Sequence, residues 1–284
     1  MSRNVPQWLA PTSLEDALAL RAQFGDEATV VAGGTFIGIV MNQRIMQPQT
    51  LLSLRNVSEL AFIEADQNEG SLLRIGAMTT HRAVERSPLI RRDWPVLAAT
   101  FQLVASPRVR NQATVGGVLA DADYASDPPT LLQALDVRVV ARSEKGRERE
   151  IPVEQLITGY YETSLRPDEL IVEVRIPRNR ERAVYRKFRS RSSEDRPCVA
   201  VAAARVDGKL RVVVGAVAEK PQYFPEICAL ADNEPAGSAQ KLALEIGQRY
   251  GDAIEPLSDS RGSAEYRRRI IAVEVRRTLE EMMS

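Results

Sequence analysis

The chain has 284 residues, with 38 lysines plus arginines against 38 aspartates plus glutamates, one histidine and two cysteines. A formal net charge of zero gives no support to binding of nucleic acids or anionic membranes, which requires a basic excess. Two cysteines are too few for a four-thiolate iron–sulfur or zinc site, and one histidine argues against a histidine-rich metal centre. We therefore expect no metal site, and we expect any chemistry to come from a bound cofactor.

The hydropathy pattern of the sequence predicts a protein without membrane-spanning helices. No stretch approaches the ~20 apolar residues that a membrane helix needs, and the amino terminus lacks the apolar core of a signal peptide. With 27% charged and 44% hydrophobic residues, the composition is that of a globular protein. The sequence predicts a soluble, cytoplasmic protein with one large domain or two to three small ones.

The first predicted unit, residues 1–57, is a small α+β unit. Thr12 and Glu15 have the spacing of a capping box, and the apolar positions after them repeat with helical spacing. A short apolar strand then leads directly into the pair Gly33-Gly34. The predicted elements are a helix over 14–24 and strands over 29–32 and 50–54.

The second predicted unit, residues 58–178, mixes helices and strands. Residues 108–117 carry few helix signals. The alternation of apolar and polar residues from Leu170 to Ile176 predicts a half-buried strand. The predicted elements are strands over 72–76, 137–141 and 170–176, and helices over 80–87, 95–105 and 131–135.

The third predicted unit, residues 179–284, follows a polar connection that begins at Pro177. Asp207-Gly208 lies between two strands and predicts a hairpin turn. Strands followed by helices indicate a separate small α+β domain. The predicted elements are strands over 199–204 and 210–218, and helices over 238–250 and 264–282.

Two double-glycine turns, Gly33-Gly34 and Gly116-Gly117, are the first candidates for a ligand site. Consecutive glycines allow positive φ angles and let a ligand approach the backbone. Successive N–H groups in such a turn form a concave anion site that fits a pyrophosphate. Neither turn has the spacing of the dinucleotide fingerprint or of a P-loop, so a turn without a ligand stays open as the alternative.

Asp127 and His81 are the titratable candidates nearby. A carboxylate at Asp127 suits a ribose hydroxyl or a donor on adenine, and its alternative is an Asx turn or a helix N-cap. His81 lies at a predicted helix start, and we interpret it as a capping or packing residue and not as a base.

Several motifs in chain order are more specific than either glycine pair. They are VAGGT (31–35), LRIGAMTT (73–80), VRNQATVGG (109–117), PDELI (167–171) followed by Ile176-Pro177, YRK (185–187) and DSRGSAEYR (259–267). In this order the chain resembles the flavin-binding medium subunit of the bacterial molybdenum hydroxylases, the carbon monoxide dehydrogenase and xanthine dehydrogenase family. The resemblance spans nearly the whole chain.

The resemblance implies a fold and a set of site residues. The fold is a two-part FAD-binding domain of the vanillyl-alcohol-oxidase (PCMH) type, residues 1–57 and 58–178, followed by a small α+β carboxy-terminal domain, residues 179–284. The cofactor is FAD, with its pyrophosphate wrapped by the two glycine loops and its adenosine end held by Asp127. Catalytic and metal-binding side chains are not implied. The implied cofactor-binding residues are Val31, Ala32, Gly33, Gly34, Thr35, Phe36, Ile37, Gly38, Val104, Thr114, Gly116, Gly117, Val118, Asp127, Ile171 and Lys187.

The resemblance implies a specific role or departure at five of these positions. Lys187 and Ile171 would line the flavin or adenine pocket, and Val104 stands where xanthine dehydrogenase relatives carry an aromatic residue near the flavin. Val118 replaces an asparagine that many relatives have, so we expect the second loop to bind through its backbone N–H groups. Phe36 replaces a common acidic or polar residue, which changes the polarity expected for the pocket.

The function that the resemblance implies is electron transfer. In that family a large subunit hydroxylates the substrate at a molybdenum cofactor, and a small 2Fe–2S subunit relays the electrons. FAD in this chain would take them and pass them to an external acceptor. The implied assembly is a dimer of heterotrimers. We expect no nucleic acid among its partners. Two alternatives are a stand-alone FAD-dependent oxidoreductase capped by the residues after Pro177, and an assembly protein that has lost FAD.

Overall fold

Three β-sheets of three or more strands follow one another along the chain in a computed structural model, which describes residues 5–66, 72–178, 182–192, 195–232 and 239–284. Their strands come from residues 7–53, 63–177 and 183–223. Helices accompany every sheet, which confirms the α+β class. The domain boundaries expected at 57/58 and 178/179 fall between the sheets and stay a prediction.

The first unit is a parallel three-stranded sheet with order β1–β3–β2. Its helix α1 has the predicted bounds, but the expected capping box is wrong by one residue. Ser13 is the N-cap, and its Oγ accepts from the amide of Asp16 at 3.1 Å. The amide of Leu14 donates to Glu59 Oε1 at 3.1 Å, so a distant carboxylate caps the helix as well. The elements are β1 (Gln7–Leu9), α1 (Leu14–Phe24), β2 (Ala28–Val31), α2 (Ile37–Asn42) and β3 (Thr50–Ser53).

The second unit is an antiparallel sheet with order β4–β5–β10–β6–β7, with helices packed beside it. The strands predicted here are confirmed to within one residue, and several short elements were not predicted. The elements are β4 (Ile63–Asp66), β5 (Leu72–Gly76), α3 (His81–Arg86), α4 (Pro88–Asp93), α5 (Pro95–Gln102), α6 (Pro107–Arg110), α7 (Val115–Ala120), α8 (Asp127–Ala134), β6 (Arg138–Arg142), β7 (Glu148–Pro152), α9 (Val153–Leu156), β8 (Ile157–Gly159), β9 (Glu162–Thr163) and β10 (Leu170–Pro177).

Strand β10 is more buried than its alternating sequence predicts. Residues 170–174 are all buried, because β10 lies between β5 and β6 and both of its faces are covered. Val172 packs toward α1 in one apolar cluster, and Val174 packs toward α5 and α8 in another. The expectation of a half-buried strand is therefore wrong.

Two helical segments also differ from the prediction. Residues 108–117, which carry few helix signals, contain α6 and the start of α7. Thr114 caps α7, because its Oγ1 accepts from the amide of Gly117 at 3.1 Å. Helix α8 begins at Asp127, four residues earlier than expected, with Ser126 as its N-cap.

The third unit is an antiparallel sheet with order β11–β12–β13–β14 and two long helices. Asp207 and Gly208 both have positive φ, as the tight turn between β12 and β13 requires. Of the predicted segments, 179–181 and Ser238 lie outside the described residues. The elements are β11 (Ala183–Phe188), β12 (Val199–Val206), β13 (Lys209–Gly215), β14 (Gln222–Tyr223), α10 (Pro225–Cys228), α11 (Ala239–Ala253) and α12 (Ala264–Met283).

One face of the third sheet packs on the second unit. Ala202, Ala204 and Val213 belong to the same apolar cluster as Leu131 and Leu132 of α8. This contact fixes β11 next to the amino-terminal end of α8. It thereby brings side chains of the third unit to the site described below.

Candidate functional site

A cleft of about 800 Å³ contains nearly all of the residues implied by the resemblance. Its volume lies within the range of about 300–1,000 Å³ typical of cofactor sites. Val31 and Gly38 do not line it, because Val31 is buried in the core and Gly38 is exposed on α2. The other implied residues all line the cleft: Ala32, Gly33, Gly34, Thr35, Phe36, Ile37, Val104, Thr114, Gly116, Gly117, Val118, Asp127, Ile171 and Lys187.

The first glycine loop offers free backbone donors to the cleft. The five amides of residues 33–37 donate to no acceptor among the described residues, and all five residues line the cleft. Gly34 has a φ of +70°, which glycine adopts without strain. Successive free amides form the kind of concavity that binds a phosphate group. The loop therefore fits a pyrophosphate.

Gly33 has a different role from Gly34. A Cβ at Gly33 would lie 1.9 Å from the carbonyl oxygen of Gln112, so only glycine fits at this contact. A Cβ at Gly117 would lie 3.5 Å from the Cβ of Ala32. The two glycine loops are therefore packed against each other and line one cleft.

The second glycine loop does not offer the backbone N–H groups that the sequence led us to expect. The amides of Val115 and Gly116 donate to the carbonyl oxygens of Thr79 and Ala77 at 3.0 and 2.8 Å. The amide of Gly117 donates to Thr114 Oγ1, and that of Val118 to the Thr114 carbonyl oxygen at 3.0 Å. These bonds attach the loop to the end of β5 and start α7. The second loop thus shapes the cleft without donating to a ligand through these amides.

A buried ionic cluster occupies one end of the cleft. Lys187 Nζ donates to Asp127 Oδ2 at 2.9 Å and to the Leu103 carbonyl oxygen at 3.1 Å. The hydroxyl of Tyr185 donates to Asp127 Oδ1 at 2.6 Å. Burial raises the pKa of Asp127, and the adjacent Lys187 opposes that rise. Asp127 is the first residue of α8 and not its N-cap, so its carboxylate joins α8 to β11 and faces the cleft.

His81 lines the cleft and is a packing residue, as we interpreted it. Its Nε2 lies 3.2 Å from the carbonyl oxygen of Thr114, and its ring packs edge-on against Phe101. Its Nδ1 is buried and has no hydrogen-bond partner among the described residues. Burial lowers the pKa of His81 to about 4, because protonation would put an unpaired charge in the core. The ring is therefore neutral near pH 7.

Polar and aromatic residues that the sequence did not single out line the open end of the cleft. Asp123 Oδ2 forms an ion pair with Arg196 Nη1 at a distance of 2.6 Å, and the Arg196 side chain is 47% exposed. Burial and the neighbouring Asp123 raise the pKa of Asp121 to about 7. Tyr161 stacks on Phe36 across the cleft. Asp121 and Asp123, Tyr161, and Arg196 come from three loops far apart in the sequence, and no local motif marks them.

The DSRGSAEYR motif supports the wall of the cleft from the third unit. Arg261 Nη2 donates to the hydroxyl of Tyr124 at 2.6 Å, and that hydroxyl donates to Asp259 Oδ2 at 3.0 Å. Tyr124 lies between Asp123 and Asp127, both of which line the cleft. The third unit thus holds this wall at two places, through Tyr124 and through Asp127.

The part of the chain that the structure describes contains no group of three or more His, Cys, Asp or Glu side chains placed to hold a metal ion. Cys198 and Cys228 are buried free thiols that form no disulfide. None of the described helices has the length and apolarity to cross a membrane.

Comparison with known families gives matches to both parts of the chain. A family model described as the FAD binding domain in molybdopterin dehydrogenase matches residues 3–179. A second model, described as the CO dehydrogenase flavoprotein C-terminal domain, matches residues 183–282.

Individual relatives match over nearly the full length. The chain is 34% identical to the nicotine 6-hydroxylase medium subunit of Paenarthrobacter nicotinovorans, over 97% of this chain and 96% of the relative. It is 31% identical to the carbon monoxide dehydrogenase medium chain of Afipia carboxidovorans, over 95% and 94%. Carbon monoxide dehydrogenase from Hydrogenophaga pseudoflava has a similar structure, with a TM-score of 0.88 and 28% identity over 100% of this chain and 99% of that chain. Quinoline 2-oxidoreductase from Pseudomonas putida 86 has a TM-score of 0.87 and 28% identity, over 99% and 98%.

Proposed function

Because this chain belongs to the family of FAD-binding medium subunits of molybdenum hydroxylases, we propose that it carries electrons from an iron–sulfur subunit to an external acceptor. The fold is an FAD-binding domain followed by the family's carboxy-terminal domain, the cofactor is FAD, and the chain is an oxidoreductase subunit. The direction of electron flow and the partner subunits are part of the proposal.

The proposal is carried by the five amides of residues 33–37, which line a cofactor-sized cleft and donate to no acceptor in the described part of the chain. Backbone donors that no protein group uses are uncommon, since most are satisfied within the protein. Here they line a cleft whose second glycine loop is packed against the first. The residues present therefore fit the pyrophosphate of FAD.

The chain's own residues would bind and orient the cofactor. The amides of 33–37 would hold the pyrophosphate, and His81 would stay neutral beneath the second loop. Asp127 would hold the adenosine end. Its two oxygens accept from Tyr185 and Lys187 and keep lone pairs for a ribose hydroxyl or an amino donor. When bound, FAD supplies the chemistry of accepting single electrons and releasing two, so no side chain acts as a nucleophile.

We propose three-subunit complexes in which a large subunit carries the molybdenum cofactor and a small subunit carries 2Fe–2S clusters. The support is that relatives are named medium subunits or medium chains, which implies companion chains. A dimer of such heterotrimers and a cytoplasmic location stay predictions.

The test is to express the tagged chain in its native host and to measure the flavin content and the co-purifying chains. We expect a yellow complex with one FAD per copy of this chain, together with one molybdenum-containing and one iron–sulfur chain. A colourless chain that takes up no added FAD would refute the proposal. A yellow monomer that turns over a small substrate unaided would favour the stand-alone oxidoreductase instead.

A further inference from the structure

The segment that follows α5, residues 103–105, is held by buried cationic side chains through its backbone. Three consecutive carbonyl oxygens accept hydrogen bonds there. Lys187 Nζ donates to the Leu103 carbonyl oxygen at 3.1 Å, and Arg110 Nη1 donates to those of Val104 and Ala105 at 2.9 Å each. Val104 and Ala105 line the cleft. Residues 103–105, here called the wall segment, therefore form a wall of the cleft whose backbone position is set by side chains.

Arg110 belongs to a buried ion pair that lies outside the cleft. Its side chain is 8% exposed, and its Nε donates to Glu85 Oε2 at 3.0 Å. Burial alone would raise the pKa of Glu85, but hydrogen bonds from Arg82 and Arg110 lower that pKa below its usual value. The Glu85 carboxylate is thus ionised, and it fixes the direction of the Arg110 guanidinium. Neither Arg110 nor Glu85 lines the cleft.

The wall segment has a backbone conformation that its own residues do not favour. Ala105 has a φ of +41°, in the left-handed region that residues other than glycine rarely adopt. Such a conformation persists where the surrounding structure holds it, and it concentrates at ligand sites. The two hydrogen bonds from Arg110 are made to Ala105 and to the residue before it. Arg110 therefore helps to maintain the strained turn.

Arg110 also connects the wall segment to the place where the two glycine loops meet. It is the last residue of α6, and the carbonyl oxygen of Gln112, two residues further on, occupies the space where Gly33 has no Cβ. Thr114 then caps α7 in the second glycine loop. One guanidinium thus fixes the wall segment relative to the backbone that brings the two loops together. Its loss would release the wall segment without removing a hydrogen bond from either glycine loop.

We propose that Arg110 is a positioning residue for FAD. It lies outside the cleft and acts through Val104 and Ala105, which it holds in place relative to the glycine loops before FAD arrives. The inference rests on the proposed function, since FAD must occupy this cleft. Without Arg110 the wall segment would be in the binding-competent position for only part of the time. The apparent affinity for FAD falls by that fraction.

The test compares three variants of the full chain with the wild type: Arg110→Met, Arg110→Met combined with Glu85→Gln, and Arg211→Met. Arg211 is a matched control, because its side chain is 15% exposed, donates to the carbonyl oxygen of Gln133 at 3.1 Å and pairs with Glu154, but is absent from the cleft lining. FAD is removed with a chaotropic salt, and the free energy of unfolding of each FAD-free chain is measured by urea denaturation. The association and dissociation rate constants of FAD are then measured by stopped-flow fluorescence.

We expect Arg110→Met to lower stability and to weaken FAD binding about tenfold, which corresponds to a wall segment that is competent for about one tenth of the time. The loss should lie mainly in the association rate constant, because bound FAD itself holds the wall segment. Adding Glu85→Gln removes the charge that has lost a partner, so the double variant should regain stability without regaining affinity. Arg211→Met should lose stability and keep the wild-type affinity.

FAD affinity that follows stability across the variants, so that the double variant recovers both, would show a merely structural role and overturn the inference. Unchanged affinity in Arg110→Met, or an equal loss in Arg211→Met, would overturn it as well. If Arg110→Met does not fold, the double variant is compared with Arg211→Met by the same criteria. A wild-type chain that binds no FAD would instead refute the proposed function, and this is seen before any variant is compared.

Discussion

At the scale of single residues, the two glycines of the first loop have different structural roles. Gly34 provides a positive φ, whereas Gly33 provides space for the backbone of Gln112. Gly38, four residues further on, has open space around its Cα and is exposed. The three glycines are therefore not equivalent, although the sequence presents them together.

Substitution of Gly33 by alanine should separate the two loops. We expect Gly33→Ala to lower the free energy of unfolding by about 1–3 kcal/mol, as overpacking does, and to abolish FAD retention. Gly38→Ala is the matched control, and it should raise stability by about 0.5–1 kcal/mol because an exposed helical glycine is replaced. Urea denaturation and the flavin content of both variants check this. Full FAD retention in Gly33→Ala would contradict the role given to the loop contact.

His81 should make stability depend on pH in a defined window. Its pKa is lowered to about 4 in the folded chain, from 6.5 when exposed, so the unfolded chain binds more protons between these values. Stability is therefore fully present above pH 6.5 and falls on the order of 3 kcal/mol as the pH drops toward 4. His81→Gln should flatten this part of the curve.

The pKa of His81 can be measured directly. It is the single histidine of the chain, so its ring proton resonances in an NMR titration have an unambiguous assignment. A midpoint near pH 4 is expected. A midpoint near 6.5 would show that the ring is hydrated and does not pack as described.

At the scale of elements, the contact between α8 and β11 joins the second and third units. Asp127 is the first residue of α8. Lys187 and Tyr185 lie on β11, and their side chains donate hydrogen bonds to the Asp127 carboxylate. The Lys187 and Asp127 side chains are only 1% and 5% exposed, so this ion pair is largely buried. Removal of one partner would leave an uncompensated buried charge.

A double-mutant cycle tests this contact. Lys187→Met should destabilise the chain by about 3–5 kcal/mol, because Asp127 would remain buried without its cation. The double variant Asp127→Asn with Lys187→Met should regain most of this loss, since neither charge remains. Chemical denaturation of the three variants gives the coupling energy. Simple additivity of the two single changes would contradict a direct pairing.

At the scale of the whole molecule, the sequence predicted the elements with strong local signals better than the contacts between them. Helices such as α1 and α12 were predicted because apolar side chains repeat with helical spacing within each segment. β10 was predicted to be half-buried, because its sequence does not reveal that other elements pack on both faces of the strand. The short helices α6 and α7 were missed, since proline, glycine and threonine favour turns locally.

The candidate site shows the same division. Both glycine loops and Asp127 were found from local motifs and the resemblance, and the fold places them in one cleft. Asp121, Tyr161 and Arg196 were missed, because three separate loops bring them to the open end. The engagement of the Val115 and Gly116 amides was also beyond sequence reasoning, since their acceptors lie on the segment after β5.

We propose that electrons leave the iron–sulfur clusters of the complex through the FAD held by this chain. The most direct measurement is freeze-quench EPR of the dithionite-reduced complex after mixing with menadione, with and without FAD removed by a chaotropic salt. The reduced-cluster signal should disappear quickly in the FAD-containing complex, persist in the FAD-free complex, and disappear again once FAD is restored. Equally fast loss of the signal without FAD would contradict the claim.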